Sequence, residues 1–105
     1  MNYEEILTQA TRDYSKWRAE LPAKESAFKE LDSLTKTRLA ESYLVSSGKT
    51  DNERKMMAFA HEMYKTHLYA LAEAREQFNG AQAQVDIHKA RYEAAKALLI
   101  KAGIL

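Results

Sequence analysis

Mostly apolar residues recur along the second half of the chain in alternating steps of three and four residues. A period of about 3.5 residues is typical of a helix that packs along a partner helix, as in a coiled coil. The pattern predicts a long C-terminal helix over about residues 51–102, and it specifies a shape rather than a reaction. The stripe consists of Met57, Ala60, Tyr64, His67, Leu71, Ala74, Phe78, Ala81, Val85, His88, Tyr92, Ala95, Leu99 and Ala102.

The ends of this helix are less uniform than its middle. Thr50 and Glu53 have the spacing of a capping box, so the helix is expected to start at Thr50. Asn79-Gly80 leaves two interpretations: a stop followed by a last helix, or one continuous helix bent at Gly80. The stripe keeps its phase across Gly80, and a glycine inside a helix costs only about 1 kcal/mol. We therefore favour the continuous helix.

The sequence of the N-terminal half predicts a helical arm that folds back along this helix. Asn2 can cap the first helix, with Glu5 three positions later. Pro22 lacks a backbone donor, so the arm is expected to be kinked there. Residues 46–49 read as a turn. The predicted fold is all-α, an antiparallel helical hairpin or small helical bundle, in a single domain over residues 1–105.

Several large apolar residues lie off the stripe, and two helices sharing one seam would leave them uncovered. Either the arm breaks and packs as a compact bundle, or two hairpins form a homodimer of four helices. Both interpretations stay open at this point. The residues are Met56, Phe59, Met63, Leu68, Ile87, Leu98 and Ile100.

Composition narrows the classes of function. Sixteen basic residues against fifteen acidic ones exclude a global polycation, so any nucleic-acid site must come from local clustering. The absence of cysteine excludes disulfides and thiolate metal sites. The N-terminus lacks the pattern of a signal peptide, and no apolar run approaches the ~20 residues that span a bilayer. We expect a soluble cytoplasmic protein without a membrane partner.

Motifs for catalysis or metal binding are incomplete. The Gly-Lys-Thr sequence ending at Thr50 resembles a phosphate-binding loop, but Tyr43 stands where that loop needs a glycine. His61 begins a helical zinc motif, but Lys65 replaces its second histidine. No serine or threonine has a recognisable base beside it. We expect no enzyme activity, no cofactor and no metal.

A basic cluster on both sides of the turn is the remaining candidate site. Lysine and arginine follow phosphates, and aromatic rings stack on bases, in sites for single-stranded nucleic acid. Three carboxylates, of Glu41, Asp51 and Glu53, partly neutralise the positive charge of the cluster. The alternative is therefore an ordinary solvated turn between two helices. The candidate nucleic-acid-binding residues are Lys36, Arg38, Tyr43, Lys49, Arg54 and Lys55.

Spaced residues between about Trp17 and Leu99 form a further pattern. They are Lys36-Thr37-Arg38-Leu39-Ala40, Tyr43-Leu44, Ser46-Ser47-Gly48, Glu53-Arg54, Ala58, Tyr64, Leu68, Leu71, Ala81-Gln82-Ala83 and Tyr92-Glu93. This pattern resembles small helical proteins of tailed bacteriophages and prophages, often encoded beside recombination, annealing or single-strand-binding genes. The resemblance implies one long helix after the turn and an accessory that contacts single-stranded DNA. The matching basic positions are Lys36, Arg38, Arg54 and, more loosely, Lys55.

Two functional hypotheses follow. The first is a phage-derived, non-enzymatic accessory protein in the cytoplasm of the bacterial host that binds single-stranded DNA. It would act in replication, recombination or counter-defence such as CRISPR inhibition, since phage proteins of this size are often inhibitors of host defence, anti-CRISPR proteins among them. The alternative is an inhibitor or assembly factor that binds a host or phage protein complex through apolar helix faces. A structural coiled coil is a third, weaker option.

Overall fold

The computed structural model describes residues 2–105, and most of them are helical. The helices are α1 (Tyr3–Ser33), α2 (Thr35–Val45), α3 (Asp51–Ala60) and α4 (Glu62–Lys101). No strand occurs within residues 2–105, so the predicted all-α class is confirmed. Within the same residues, none of the helices has both the length and the apolar character that a membrane crossing requires.

The chain divides into two compact units, each built by antiparallel pairing. The first unit combines the chain up to Lys24 with Phe78–Leu105, and the second is Glu25–Gln77. In the first, Tyr14 contacts the Tyr92 ring at 5.6 Å between centroids, and Trp17 stacks on His88 at 6.5 Å. The residue number in α4 falls as the residue number in α1 rises, so the two helices run antiparallel, as in a helical hairpin.

The second unit shows the same register. Arg75 lies 5.3 Å from the centroid of the Phe28 ring, and His67 is hydrogen-bonded to Thr35 at 3.0 Å. The predicted hairpin, or small bundle, is therefore confirmed within each unit. The prediction of one domain over residues 1–105 stays a prediction.

The core follows the predicted stripe from Tyr64 to Leu99 but departs from it before His61. Met57, which the stripe places in the core, is 51% exposed, whereas the neighbouring Ala58 is buried at 1% exposure. The stripe residues that are buried are Tyr64, His67, Leu71, Ala81, Val85, Ala95 and Leu99.

A break at His61 explains this change of buried face. The structure divides the predicted helix of about residues 51–102 there, because His61 adopts an extended backbone with φ −66° and ψ 140°. Its ring Nδ1 accepts a hydrogen bond from the Met63 N–H at 3.1 Å, so the imidazole caps the start of α4. The long C-terminal helix is α4, and it runs through Asn79 and Gly80 without interruption, as the continuous interpretation predicts.

The N-terminal arm is bent, and its helix is interrupted at Leu34, whereas the sequence predicted a kink at Pro22. Pro22 lies inside α1 rather than between two helices. The predicted cap at Asn2 is confirmed, since its Oδ1 accepts the Glu5 N–H at 2.8 Å. The interruption at Leu34 is followed by Thr35, whose hydroxyl meets His67 of α4.

The Gly80→Ala substitution tests the continuity of α4. A Cβ at Gly80 would meet no atom within 4 Å, and the residue is helical, so alanine introduces no clash there. We expect a gain of roughly 0.5–1 kcal/mol in the free energy of unfolding, because alanine loses less backbone entropy in a helix. Urea unfolding followed by circular dichroism measures this change.

Gly103→Ala is the matched control for Gly80→Ala. Gly103 has φ +77°, a left-handed conformation that alanine adopts only with strain, so this variant is expected to show no gain. A loss of stability in Gly80→Ala would contradict an uninterrupted helix at Gly80.

Candidate nucleic-acid interface

All six predicted nucleic-acid-binding residues lie in the second unit, around the turn. We call α2, residues 46–50 and α3 the tip; α2 and α3 pack against each other. Lys36, Arg38 and Tyr43 belong to α2, and Lys49 lies in the turn. Arg54 and Lys55 lie in the first half of α3. The fold therefore brings both basic segments onto one pair of helices.

The turn closes tightly on the start of α3. Thr50 is extended, and its Oγ1 accepts the Glu53 N–H at 3.1 Å, which confirms the predicted cap. The Glu53 carboxylate accepts the N–H of Lys49 at 2.8 Å, one residue before the cap itself. A Cβ on Gly48 would lie 2.9 Å from both the Cγ and the backbone nitrogen of Arg54. Glycine is thus required at position 48 for this close approach.

A polar network around Tyr43 joins α2 to α3. The Tyr43 hydroxyl donates a hydrogen bond to the Asp51 carboxylate. That carboxylate also forms an ion pair with Lys55 at 3.1 Å. The Arg54 guanidinium lies 4.6 Å from the centroid of the Tyr43 ring, within the range of a cation–π contact. Three of the predicted residues are therefore linked through one carboxylate and one ring.

These contacts shift the pKa of both acidic partners. The hydrogen bond to the Asp51 carboxylate, followed by burial and by the Asp51 charge, raises the pKa of Tyr43 above its ordinary value of 10.0. The hydrogen bonds from Tyr43 and then Lys55 lower the pKa of Asp51 below its ordinary value of 3.8. Both shifts favour the same state, a neutral phenol donating to an ionised carboxylate.

The cations of the tip differ in how far they are already neutralised. Arg38 donates to both oxygens of Glu41, at 3.0 and 3.2 Å, and lies beside Glu62 and Met63. Within residues 2–105, Lys36 and Lys49 form no ion pair. The structure thus separates Arg38, which is paired, from Lys36, which is free to take an anion.

An open groove of about 500 Å³ lies between α2 and α3. Most of its surface is apolar, and none of the described residues lining it is acidic. Sequence reasoning missed most of its apolar residues; the available signal was that α2 is apolar on more than one face. The lining residues are Lys36, Leu39, Ala40, Tyr43, Leu44, Lys55, Ala58 and Phe59.

The three histidines have structural contacts rather than the arrangement of a metal site. His67 is 6% exposed and bonds to Thr35, His61 caps α4, and His88 stacks on Trp17. Within residues 2–105, no three histidine, aspartate or glutamate side chains come together in a way that could hold a metal ion.

Comparison of the chain with protein-family models, curated proteins and solved structures finds no match. The functional interpretation therefore depends on the geometry of the tip.

The substitution Asp51→Asn is expected to lower the pKa of Tyr43 toward 10.0, because it removes both the anionic acceptor and the charge that disfavours phenolate. NMR titration of ¹³C-labelled tyrosine measures the shift, and Tyr43→Phe assigns the resonance. An unchanged Tyr43 pKa in Asp51→Asn would contradict the contact.

The same pair predicts the pH range in which it stabilises the fold. The raised Tyr43 pKa gives a contribution that is present below about pH 10 and is lost as the pH rises through the folded-state value. The lowered Asp51 pKa gives a contribution present above 3.8 and lost as the pH falls through its lower folded-state value. The melting temperature of Asp51→Asn in thermal unfolding should therefore change less with pH than that of the unmodified protein, both in the acidic range and in the alkaline range.

Proposed function

We propose that the chain is a non-enzymatic accessory protein that binds single-stranded DNA at the tip. The observation that supports this most is the groove, whose lining places Tyr43 and Phe59 beside Lys36 and Lys55 and includes no carboxylate among its described residues. Proteins that bind single strands combine cations along the backbone with aromatic rings that stack on bases. The tip offers both within one pair of helices.

Charge also favours an anionic ligand at the tip. Residues 35–60 contain five lysines and arginines and three aspartates and glutamates. All three carboxylates are engaged: Glu41 accepts from Arg38, Asp51 accepts from Tyr43 and Lys55, and Glu53 accepts from the Lys49 backbone. Exposed ion pairs are worth only about 0–1 kcal/mol, so a phosphate can displace them at little energetic cost.

Single strands suit this groove better than duplex. Its apolar lining offers stacking and burial to a base that has left its own stack, whereas the bases of a duplex are already stacked on each other. The resemblance to phage proteins supports the setting: the cytoplasm of a bacterial host, in recombination or replication. Counter-defence, including CRISPR inhibition by holding an exposed strand, belongs to the same proposal.

A protein interface is the second candidate, because large apolar side chains of the tip face solvent. Leu44 is 73% exposed, Met56 68% and Phe59 56%. Exposed apolar clusters on helices are typical of surfaces that bind another protein, either a host or phage complex or a second copy of the chain. Two results together would support this candidate over the first. The chain would bind no oligonucleotide, and it would form a complex with a protein that survives nuclease treatment and moderate salt.

Lys36→Ala is expected to weaken binding to a single-stranded oligonucleotide more than Arg38→Ala, because Lys36 lines the groove and Arg38 does not. Removing one phosphate contact should reduce the slope of log K against log salt by about 0.7. Fluorescence anisotropy at several salt concentrations measures both effects.

Lys65→Ala is the matched control for these variants. Lys65 is exposed on α4 of the same unit and does not line the groove. Lys65→Ala changes the net charge by the same amount as Lys36→Ala, and it should leave the affinity for the oligonucleotide nearly unchanged. Equal losses in Lys36→Ala and Lys65→Ala would overturn the assignment of the groove as the binding site.

A further inference from the structure

The Tyr43 ring contacts Arg54, and Tyr43 also lines the groove. The Arg54 guanidinium covers the ring at 4.6 Å from its centroid, and Arg54 does not line the groove. Tyr43 itself does line the groove. The bond from its hydroxyl to Asp51 fixes the ring in place. The groove therefore contains a flat aromatic surface that is held before any ligand arrives, which reduces the entropy lost on binding.

The other lining residues offer few groups that could form specific hydrogen bonds with the edge of a base. Leu39, Ala40, Leu44, Ala58 and Phe59 contribute apolar atoms, and the Tyr43 hydroxyl is engaged by Asp51. The remaining polar groups are the ammonium groups of two lysines, on long side chains. Sequence readout needs fixed donors and acceptors matched to each base. This groove provides a stacking surface and cations without a fixed acceptor.

On the premise that the chain binds single-stranded DNA, as proposed, we infer that the groove takes an unpaired base stacked on the Tyr43 ring. Phe59, 56% exposed, supplies a second ring at the groove, and Lys36 and Lys55 contact the flanking phosphates. With the base on the ring face opposite the Arg54 guanidinium, the stack runs from arginine to tyrosine to base. Binding requires a base and does not depend on which base it is.

Oligonucleotides with and without bases test this inference on the unmodified protein. Anisotropy compares oligothymidine, oligodeoxycytidine, oligodeoxyadenosine and an abasic strand of the same length and charge. We expect the abasic strand to bind about 5- to 150-fold more weakly than oligothymidine, the range given by the stacking of one base. The three strands with bases should differ less from each other than each differs from the abasic strand.

Variants at position 43 locate the effect. Tyr43→Phe keeps the ring and loses only the hydroxyl, so it should still distinguish the base-containing strand from the abasic one. Tyr43→Leu keeps an apolar side chain without a ring, so it should distinguish the two strands less than the unmodified protein does, with Phe59 as the remaining ring at the groove. Tyr69→Leu is the control, since Tyr69 is 74% exposed on α4 and does not line the groove. Circular dichroism verifies that each variant is helical.

The outcomes separate this inference from the proposed function. Equal binding of oligothymidine and the abasic strand overturns base stacking while leaving single-strand binding intact. A strong preference for one base overturns the lack of sequence readout. No binding to any strand overturns the proposed function itself.

Discussion

Burial of one narrow stripe of α4 against the preceding helices is the constraint on which the fold depends. The buried residues of this stripe form a seam, and among residues 2–105 the fully buried large side chains are few, Leu99 among them. A small domain buries a smaller fraction of its surface than a large one, so little stabilisation is available beyond this seam. Contacts that fix local geometry, such as the helix caps and the Tyr43 network, consequently have a large share in ordering the tip.

The sequence predicted the parts of the fold that depend on local and periodic signals. The stripe identified the buried face from Tyr64 to Leu99, Thr50 marked the start of α3, and the unbroken phase favoured helix through Gly80. These signals are local: a cap depends on a few neighbouring residues, and a periodic stripe depends on one helix face.

The break at His61 could not be predicted in this way, because neither glycine nor proline marks it. The residues around it favour helix, and the imidazole replaces a lost backbone hydrogen bond by capping Met63. A break of one residue rotates the buried face of α3 relative to the stripe, which exposes Met57 and buries Ala58. The groove depends on this rotation and on the packing of α2 against α3, so a count of basic residues along the chain could not reveal its apolar lining.

The candidate site shows how a backbone requirement leads to a binding surface. Gly48 has no Cβ, so the turn can approach the first turn of α3 at the backbone nitrogen and Cγ of Arg54. From that position the Arg54 guanidinium reaches one face of Tyr43, while Asp51 holds the hydroxyl of the same ring. The ring is thereby fixed at the lining of a groove that also contains two lysines. Cations alone would make the tip attractive to any polyanion. Under the proposed function, the fixed ring favours a polyanion with unpaired bases, because only such a ligand gains from the stacking surface.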